Sequence, residues 1–354
     1  MQIRSRVKHP AVSLLALAAA MLDAAAVLAQ GCEPIRFTTP VNLGGEGKAY
    51  QPAHEWQLTL AYRNLESEDW YVGSKSSPSR GPFGSPSLFK IHTIVGDVAY
   101  SLNDRVRVRL SVPFQTASFR RLYADQKVHE QSATGIGDIS AQAETWLFDP
   151  RTHERGNVAL GLGLKAPTGS HTKAAAFYTA TSSVPFPADQ TIQTSDGGWA
   201  ILTQAQVFRQ VVGRAFAYAF GSYMISPKRQ SDVVSAPGST LHWSVPDVYS
   251  ARAGAAVSVL SNQRLTLSLG GRIDGIPVHD LFGGGDDDTV KRTSYVVFVD
   301  PGLSIVTGRG TFTLSTPIRA AVNRKKSLFE QKTNGLNGGG FAQHLVFASY
   351  SHRL

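Results

Sequence analysis

The pattern of this chain points to an all-β protein: a transmembrane antiparallel up-and-down β-barrel of about twelve strands, made behind a cleaved signal peptide. An export signal opens the sequence. Segments of period-two hydropathy long enough to cross a bilayer follow, and the connections between them alternate between short and long. Composition is consistent with this. Of 354 residues, 42% are hydrophobic and 17% charged, which is too apolar for a disordered chain. A mean hydropathy of -0.12 argues against a bundle of membrane helices, whereas a barrel with a polar inner face accommodates it. The single cysteine excludes a disulfide framework and any zinc or iron–sulfur site built from cysteines.

The first element is the targeting segment. Arg4, Arg6 and Lys8 form a basic region, and an apolar stretch runs from Ala11 to Leu22, broken only by Ser13. Val27 and Ala29 are the small residues that signal peptidase reads, so residues 1–29 are expected to be removed. Cys32 follows Ala29-Gln30-Gly31, a poor lipidation motif, and its lipidation is left open. Residues 30–54 read as a periplasmic arm or partial plug, and 55–354 as the barrel. The formal net charge is +9. For a basic exported protein the acidic neighbour is an anionic lipid or lipopolysaccharide surface rather than nucleic acid.

The strands come next. Trp56, Leu58, Leu60 and Tyr62 alternate with Gln57, Thr59, Ala61 and Arg63. Val158 to Leu164 and Leu265 to Leu269 alternate in the same way, and each gives a strand with one apolar face and one polar or small face. Twelve candidates start near Glu55, Leu88, Arg105, Gly137, Asn157, Gly198, Ala215, Pro246, Arg264, Ser294, Thr311 and Gly339. Five connections are tight, around Asn103, Asp149, Gly213, Asn262 and Gly308. Six are long and polar: Glu66–Ser87, Thr116–Gly135, Thr168–Gly197, Ser226–Val245, Pro277–Thr293 and Val322–Gly338. Sorting by parity is the signature of tight periplasmic turns and long external loops, and an even strand count puts both termini in the periplasm. Trp56, Val108, Leu162, Val207 and Leu267 are expected to face lipid.

Some segments fit this scheme poorly. In the second strand the apolar residues are odd at Phe89 and Ile91, then even at Ile94, Val98 and Tyr100, which predicts a β-bulge near Ile94-Val95. Pro301 removes a ladder donor inside the tenth strand and predicts a bulge or kink there. The last strand is expected over Phe341–Leu354.

Candidate chemistry is sparse. His242 and Ser244 share one face of an extended segment and could form the base and nucleophile of a lipid hydrolase; the plainer reading is an interfacial Trp243 with polar neighbours. Gly283 to Asp288 offers three adjacent carboxylates, read as a solvated loop rather than a calcium site. His279-Asp280 reads as a rim hydrogen bond pinning the following loop. The other histidines show no ligand spacing, and no phosphate loop, dinucleotide fingerprint or triad signature occurs. No metal and no cofactor are expected.

The residues opposite the apolar faces give the expected lumen, which is the candidate transport path: Arg107, Arg109, Asp138, Gln142, Glu144, Lys165, Arg252, Arg272, Asp274, Asp300 and Arg319. Gly161, Gly163, Ala217, Ala219, Gly254 and Ala256 are expected to leave inward space unfilled. Six cations face four anions in this set, which predicts a weak anion preference. The competing expectation is that these charges brace one another across a closed lumen.

Several short motifs carry a family resemblance. They are Gly135-Ile136-Gly137-Asp138 opening a strand, Leu162-Gly163-Leu164-Lys165-Ala166-Pro167-Thr168-Gly169 ending the next, and Gly271 to Asp280 followed by Tyr295 to Leu303. In these the sequence resembles the MetA-pathway of phenol degradation family of outer-membrane transporters. The resemblance implies a barrel channel in the bacterial outer membrane for small aromatic or other hydrophobic solutes. A structural or adhesive barrel without transport is the alternative, followed by the hydrolase.

Overall fold

The computed structural model describes residues 52–67, 69–77, 88–260, 262, 264–282, 288–335 and 338–354. The signal peptide, Cys32, nearly all of the expected arm and most of the Gly283–Asp288 loop lie outside these residues.

Twelve antiparallel strands form the wall. They are β1 (Trp56–Ser67), β2 (Leu88–Ser101), β3 (Val106–Leu122), β4 in two pieces (Val128–Ile136 and Ser140–Trp146), β5 (Gly156–Lys165), β6 (Ala200–Val212), β7 (Ala215–Ile225), β8 (Val248–Ser258), β9 (Leu265–Ile276), β10 (Ser294–Thr307), β11 in two pieces (Gly310–Ser315 and Ile318–Arg324) and β12 (Leu345–Arg353). Each pairs with its chain neighbours, and β12 pairs with β1 to close the ring. Closure leaves the ring without a terminal edge strand, as a backbone surrounded by lipid requires. At one end the turns are tight. Thr307 pairs directly with Gly310 across Gly308-Arg309, and Gly308 supplies the positive φ of 58° that such a two-residue turn needs. At the other end the connections carry short strands of their own and a short helix, α1 (Leu328–Lys332), capped by Ser327 and Glu330.

Alternation sorts the side chains. Trp56, Val108, Leu162, Val207 and Leu267 are all exposed on the outer face. Leu162 is 62% exposed, whereas Lys165, three residues on and facing inward, is 0%.

Four expectations are corrected. First, β2 has no bulge, since its register with β1 and β3 is continuous from Leu88 to Ser101. Odd positions face inward throughout, and it is the surroundings that change. Near the end with the long connections Phe89 and Ile91 enter an apolar core inside the barrel, while the outer face there carries Lys90, ion-paired with Glu66 at 3.7 Å. Second, Thr116–Gly135 is not a loop. β3 runs to Leu122 and β4 starts at Val128, so the two form a tight hairpin. Third, β10 passes through Pro301 without a break, and the irregularity falls on its partner. β11 is interrupted at Thr316-Pro317, where Thr316 N–H donates to the Pro301 carbonyl at 3.0 Å, and its register slips opposite Val297/Phe298. Fourth, the last strand begins at Leu345; Gly338–Phe341 instead pairs with Asp69–Val72 in a small sheet at the rim.

Candidate functional site

The lumen is built in rungs, because paired residues on neighbouring strands point to the same side. One rung runs Arg107–Glu144–Gly161–Gln204 across β3 to β6. The Arg107 guanidinium donates to one Glu144 oxygen at 2.6 Å and the Gln204 amide donates to the other at 2.8 Å. Gly161 makes this reach possible, since a Cβ there would collide with the Gln204 side chain. The next rung is Arg109–Gln142–Gly163, with Gln142 lying against the glycine.

On the far wall Arg252 forms an ion pair with Asp300 at 2.6 Å, and Ser315 donates to the other Asp300 oxygen at 2.5 Å. Arg272 grips Asp274 through two bonds of 2.7 and 3.1 Å and lies 4.6 Å above the Phe347 ring. The expected inward Ala217 and Ala219 face outward. Ala219 pairs with exposed Val207, while Tyr218 and Phe220 point in and are buried. Gly254 and Gly270 do not leave empty space either, since the Tyr218 hydroxyl lies across both.

The Gly135–Asp138 motif marks the interruption of β4. Gly137 N–H donates to the Pro113 carbonyl at 2.8 Å, and a Cβ on Gly137 would press on Pro113 and the Thr194 carbonyl. Thr168 ties the gap, as its hydroxyl donates to the Gly137 carbonyl and accepts from Ile139 N–H, both at 2.9 Å. Inside, the fully buried Lys165 ammonium lies 2.8 Å from Asp138 and 2.6 Å from Asp196. Asp138 also accepts from Gly169 N–H at 3.1 Å. Arg319 stands apart from this set at the rim with the long connections, bonded to Asp69 and to the carbonyls of Phe341 and Ala342.

The half of the barrel nearer the long connections is packed. The connection between β5 and β6 folds inward, so that Ala188 and Ile192 join Leu65, Phe89, Ile91, Ala117, Phe119, Ala133 and Phe298 in one apolar core. Phe89 and Phe119 stack with ring centroids 4.1 Å apart. The Gln115 amide donates to the carbonyls of Ile192 and Gln193, each at 3.2 Å, and fixes the segment. In the half nearer the tight turns a cavity of about 30 Å³ remains, lined by residues of β1, β2, β3, β11 and β12.

The sequence reading missed several inward groups. Asp97 is buried and accepts from Ser111; its place between Gly96 and exposed Val98 could have revealed it. Arg63, bonded to Thr93 at 2.9 Å, was equally legible from its alternation with Tyr62. Asp196, Gln193 and Ile192 were not, because a loop has no period. With Arg63, Asp97 and Asp196 added to the expected set and Arg319 assigned to the rim, the set holds six cations and six anions, and buried Arg121 on the inward face of β3 is a further cation.

The proposed hydrolytic pair does not form. His242 Nδ1 lies 3.0 Å from the Ser231 carbonyl, and the buried Ser244 hydroxyl has no hydrogen-bond partner among the described residues. Trp243 is not interfacial but buried under Arg292, whose guanidinium lies 4.6 Å from its ring. Asp280 accepts from Asp247 N–H at 3.0 Å and from Lys291 at 2.6 Å, while Leu281 N–H donates back to Asp247 at 2.8 Å, so two external loops hold each other.

No protein-family model matches the chain, and no curated protein matches it. Among solved structures, an outer-membrane channel from Pseudomonas putida F1 superposes with a TM-score of 0.62 at 13% identity, over 88% of this chain and 99% of that one. The toluene transporter TbuX of Ralstonia pickettii gives 0.43 at 11% identity, over 87% and 92%. The translocator domain of autotransporter NalP from Neisseria meningitidis gives 0.43 at 12%, over 97% and 98%. Identities this low assign no role to any residue. Together with the chain's own closed ring and apolar outer face, the first superposition shows the fold: this chain is a twelve-stranded β-barrel of the outer-membrane type.

Proposed function

We propose that the chain is a channel of the bacterial outer membrane that admits small solutes and performs no chemistry on them. One observation carries this reading: a closed ring with an apolar exterior encloses a lumen lined by charged and polar groups. Such a wall is suited to lipid outside and to water or solute inside. The proposed transport path runs past Arg107, Arg109, Asp138, Gln142, Glu144, Lys165, Arg252, Arg272, Asp274 and Asp300. Aromatic or other small hydrophobic compounds are the solute class, on the resemblance to the MetA-pathway of phenol degradation family. Export by the N-terminal signal and a surrounding of anionic lipid and lipopolysaccharide belong to the same reading.

The packed half nearer the long connections favours one rival, a structural barrel that passes nothing. Flux into proteoliposomes over a panel of phenols, aromatic acids, sugars and alkanes separates the two. Uptake of phenols or aromatic acids in preference to sugars is the outcome expected of the channel. Absence of flux for every solute would leave the structural barrel, and recovery of the protein in the soluble periplasmic fraction would end both readings.

A further inference from the structure

Most lumen charges have a named opposite partner. Arg107 has Glu144, Lys165 has Asp138 and Asp196, Arg252 has Asp300, and Arg272 has Asp274. Arg109 makes no ion pair or hydrogen bond among the described residues, although the Glu144 and Asp97 carboxylates act on it electrostatically, and its Nη1 is buried without a hydrogen-bond partner. An unpaired buried donor of this kind is uncommon in a folded protein.

The surroundings specify what would satisfy it. Arg109 lines the cavity of about 30 Å³, more than the roughly 10–15 Å³ that a single water needs. Its opposite wall is made of hydroxyls. Thr59 and Ser351 lie 2.8 Å apart, and Thr313 and Ser349 lie 2.6 Å apart. Two hydroxyls that share one hydrogen bond place one proton between them and keep the second free to donate elsewhere. Thr311 and the amide of Gln57 add further donors to the lining. Asp97 is the one carboxylate of the lining, and one of its oxygens is already engaged by the Ser111 hydroxyl. Arg107 borders the same space with its charge directed at Glu144. A concave site rich in donors, with a guanidinium that lacks an acceptor, is complementary to a small anion.

We propose that this cavity is an anion-binding station near the periplasmic mouth, with Arg109 as its charged ligand. It takes a halide, or the carboxylate group of a small organic acid whose remainder lies outside the cavity. The proposal gives the channel a place where an acidic solute pauses, and so rests on the channel reading for the route by which solute arrives.

Crystals of the full chain grown or soaked in sodium bromide test it through the anomalous signal of bromide, alongside the proteoliposome flux panel. The expected result is a bromide peak within hydrogen-bond distance of Arg109, lost in Arg109→Gln and kept in Arg264→Gln, which changes an exposed turn. Asp97→Asn removes the competing carboxylate, and severalfold tighter bromide binding is expected in it, so the test survives if Arg109→Gln fails to fold. A cavity that holds only water in the wild type, or a peak of equal occupancy in Arg109→Gln, overturns the station. The proteoliposome flux panel separates the two readings: a bromide peak with no flux of any solute keeps the station and ends the channel, whereas flux with no Arg109-dependent bromide keeps the channel and ends the station.

Discussion

Leu162 and Ser111 show how little separates lipid from lumen in a barrel wall. Leu162 is 62% exposed on the outer face, and Ser111 points inward to bond Asp97. Leu162→Arg puts a charge into hydrocarbon and is expected to cost about 2–4 kcal/mol. Ser111→Arg places the same group beside a carboxylate and is expected to cost less. Urea unfolding in lipid vesicles measures both, and equal costs would contradict the facing. In a tight turn, the Asp149 carboxylate accepts from the Arg151 guanidinium at 2.7 and 3.1 Å and from the Arg151 N–H at 3.0 Å. These bonds hold its pKa down to about 2. A depressed carboxylate pKa favours the folded turn above the ordinary value of about 3.9, and the contribution is lost as pH falls through the folded value. Amide protection factors at Thr152 and His153, whose N–H groups bond the Asp149 carbonyl, should therefore fall as pH falls towards 2, beyond the change seen in Asp149→Asn.

At the level of elements, the interrupted β4 is the informative case. Its two pieces pair with β3 in registers that differ by one residue, and the extra residue falls in Gly137–Ile139. That slip turns Asp138 toward Lys165, whose ammonium holds Asp138 and Asp196 together. Lys165→Met would take this cation from buried Asp138 and partly buried Asp196 and is expected to destabilise the barrel by about 3–5 kcal/mol, measured by heat modifiability or urea unfolding. Asp138→Asn in the same background should recover part of the loss. Strand existence and most strand starts were legible because period two survives wherever one face meets lipid. The break in β4 was not, since the glycines and Asp138 that cause it also read as an ordinary strand start. The second strand misled for a related reason: hydropathy reports polarity, and near the rim inside and outside exchange polarity while the backbone keeps its phase.

For the whole molecule, the inward fold of the β5–β6 connection fills one half of the barrel. Segment 188–195 brings Ala188 and Ile192 into the apolar core, with Gln115 holding its carbonyls. Replacing residues 172–195 with a short glycine–serine linker should uncover that half and raise solute flux severalfold in proteoliposomes. The same change removes core packing, so a lower unfolding temperature is expected with it. Unchanged flux would mean that the restriction lies in the half nearer the tight turns, at the rungs of Arg107 and Arg109.

The sequence determined the barrel: strand number, facing and closure follow from a two-residue period that lipid imposes on one side of every strand. It also placed Arg107, Glu144, Lys165, Arg252, Arg272, Asp274 and Asp300 on the polar face, because each is offset by one from an apolar neighbour. Which charge neutralises which was decided by the fold, since Lys165–Asp196 and Arg252–Asp300 join residues far apart in the chain whose contact depends on register and on a loop without period. The filling of one half of the barrel and the absence of a hydrogen-bonded partner for Arg109 among the described residues have the same origin. Both depend on which side chains from distant strands reach a shared interior, and that is set by three-dimensional packing.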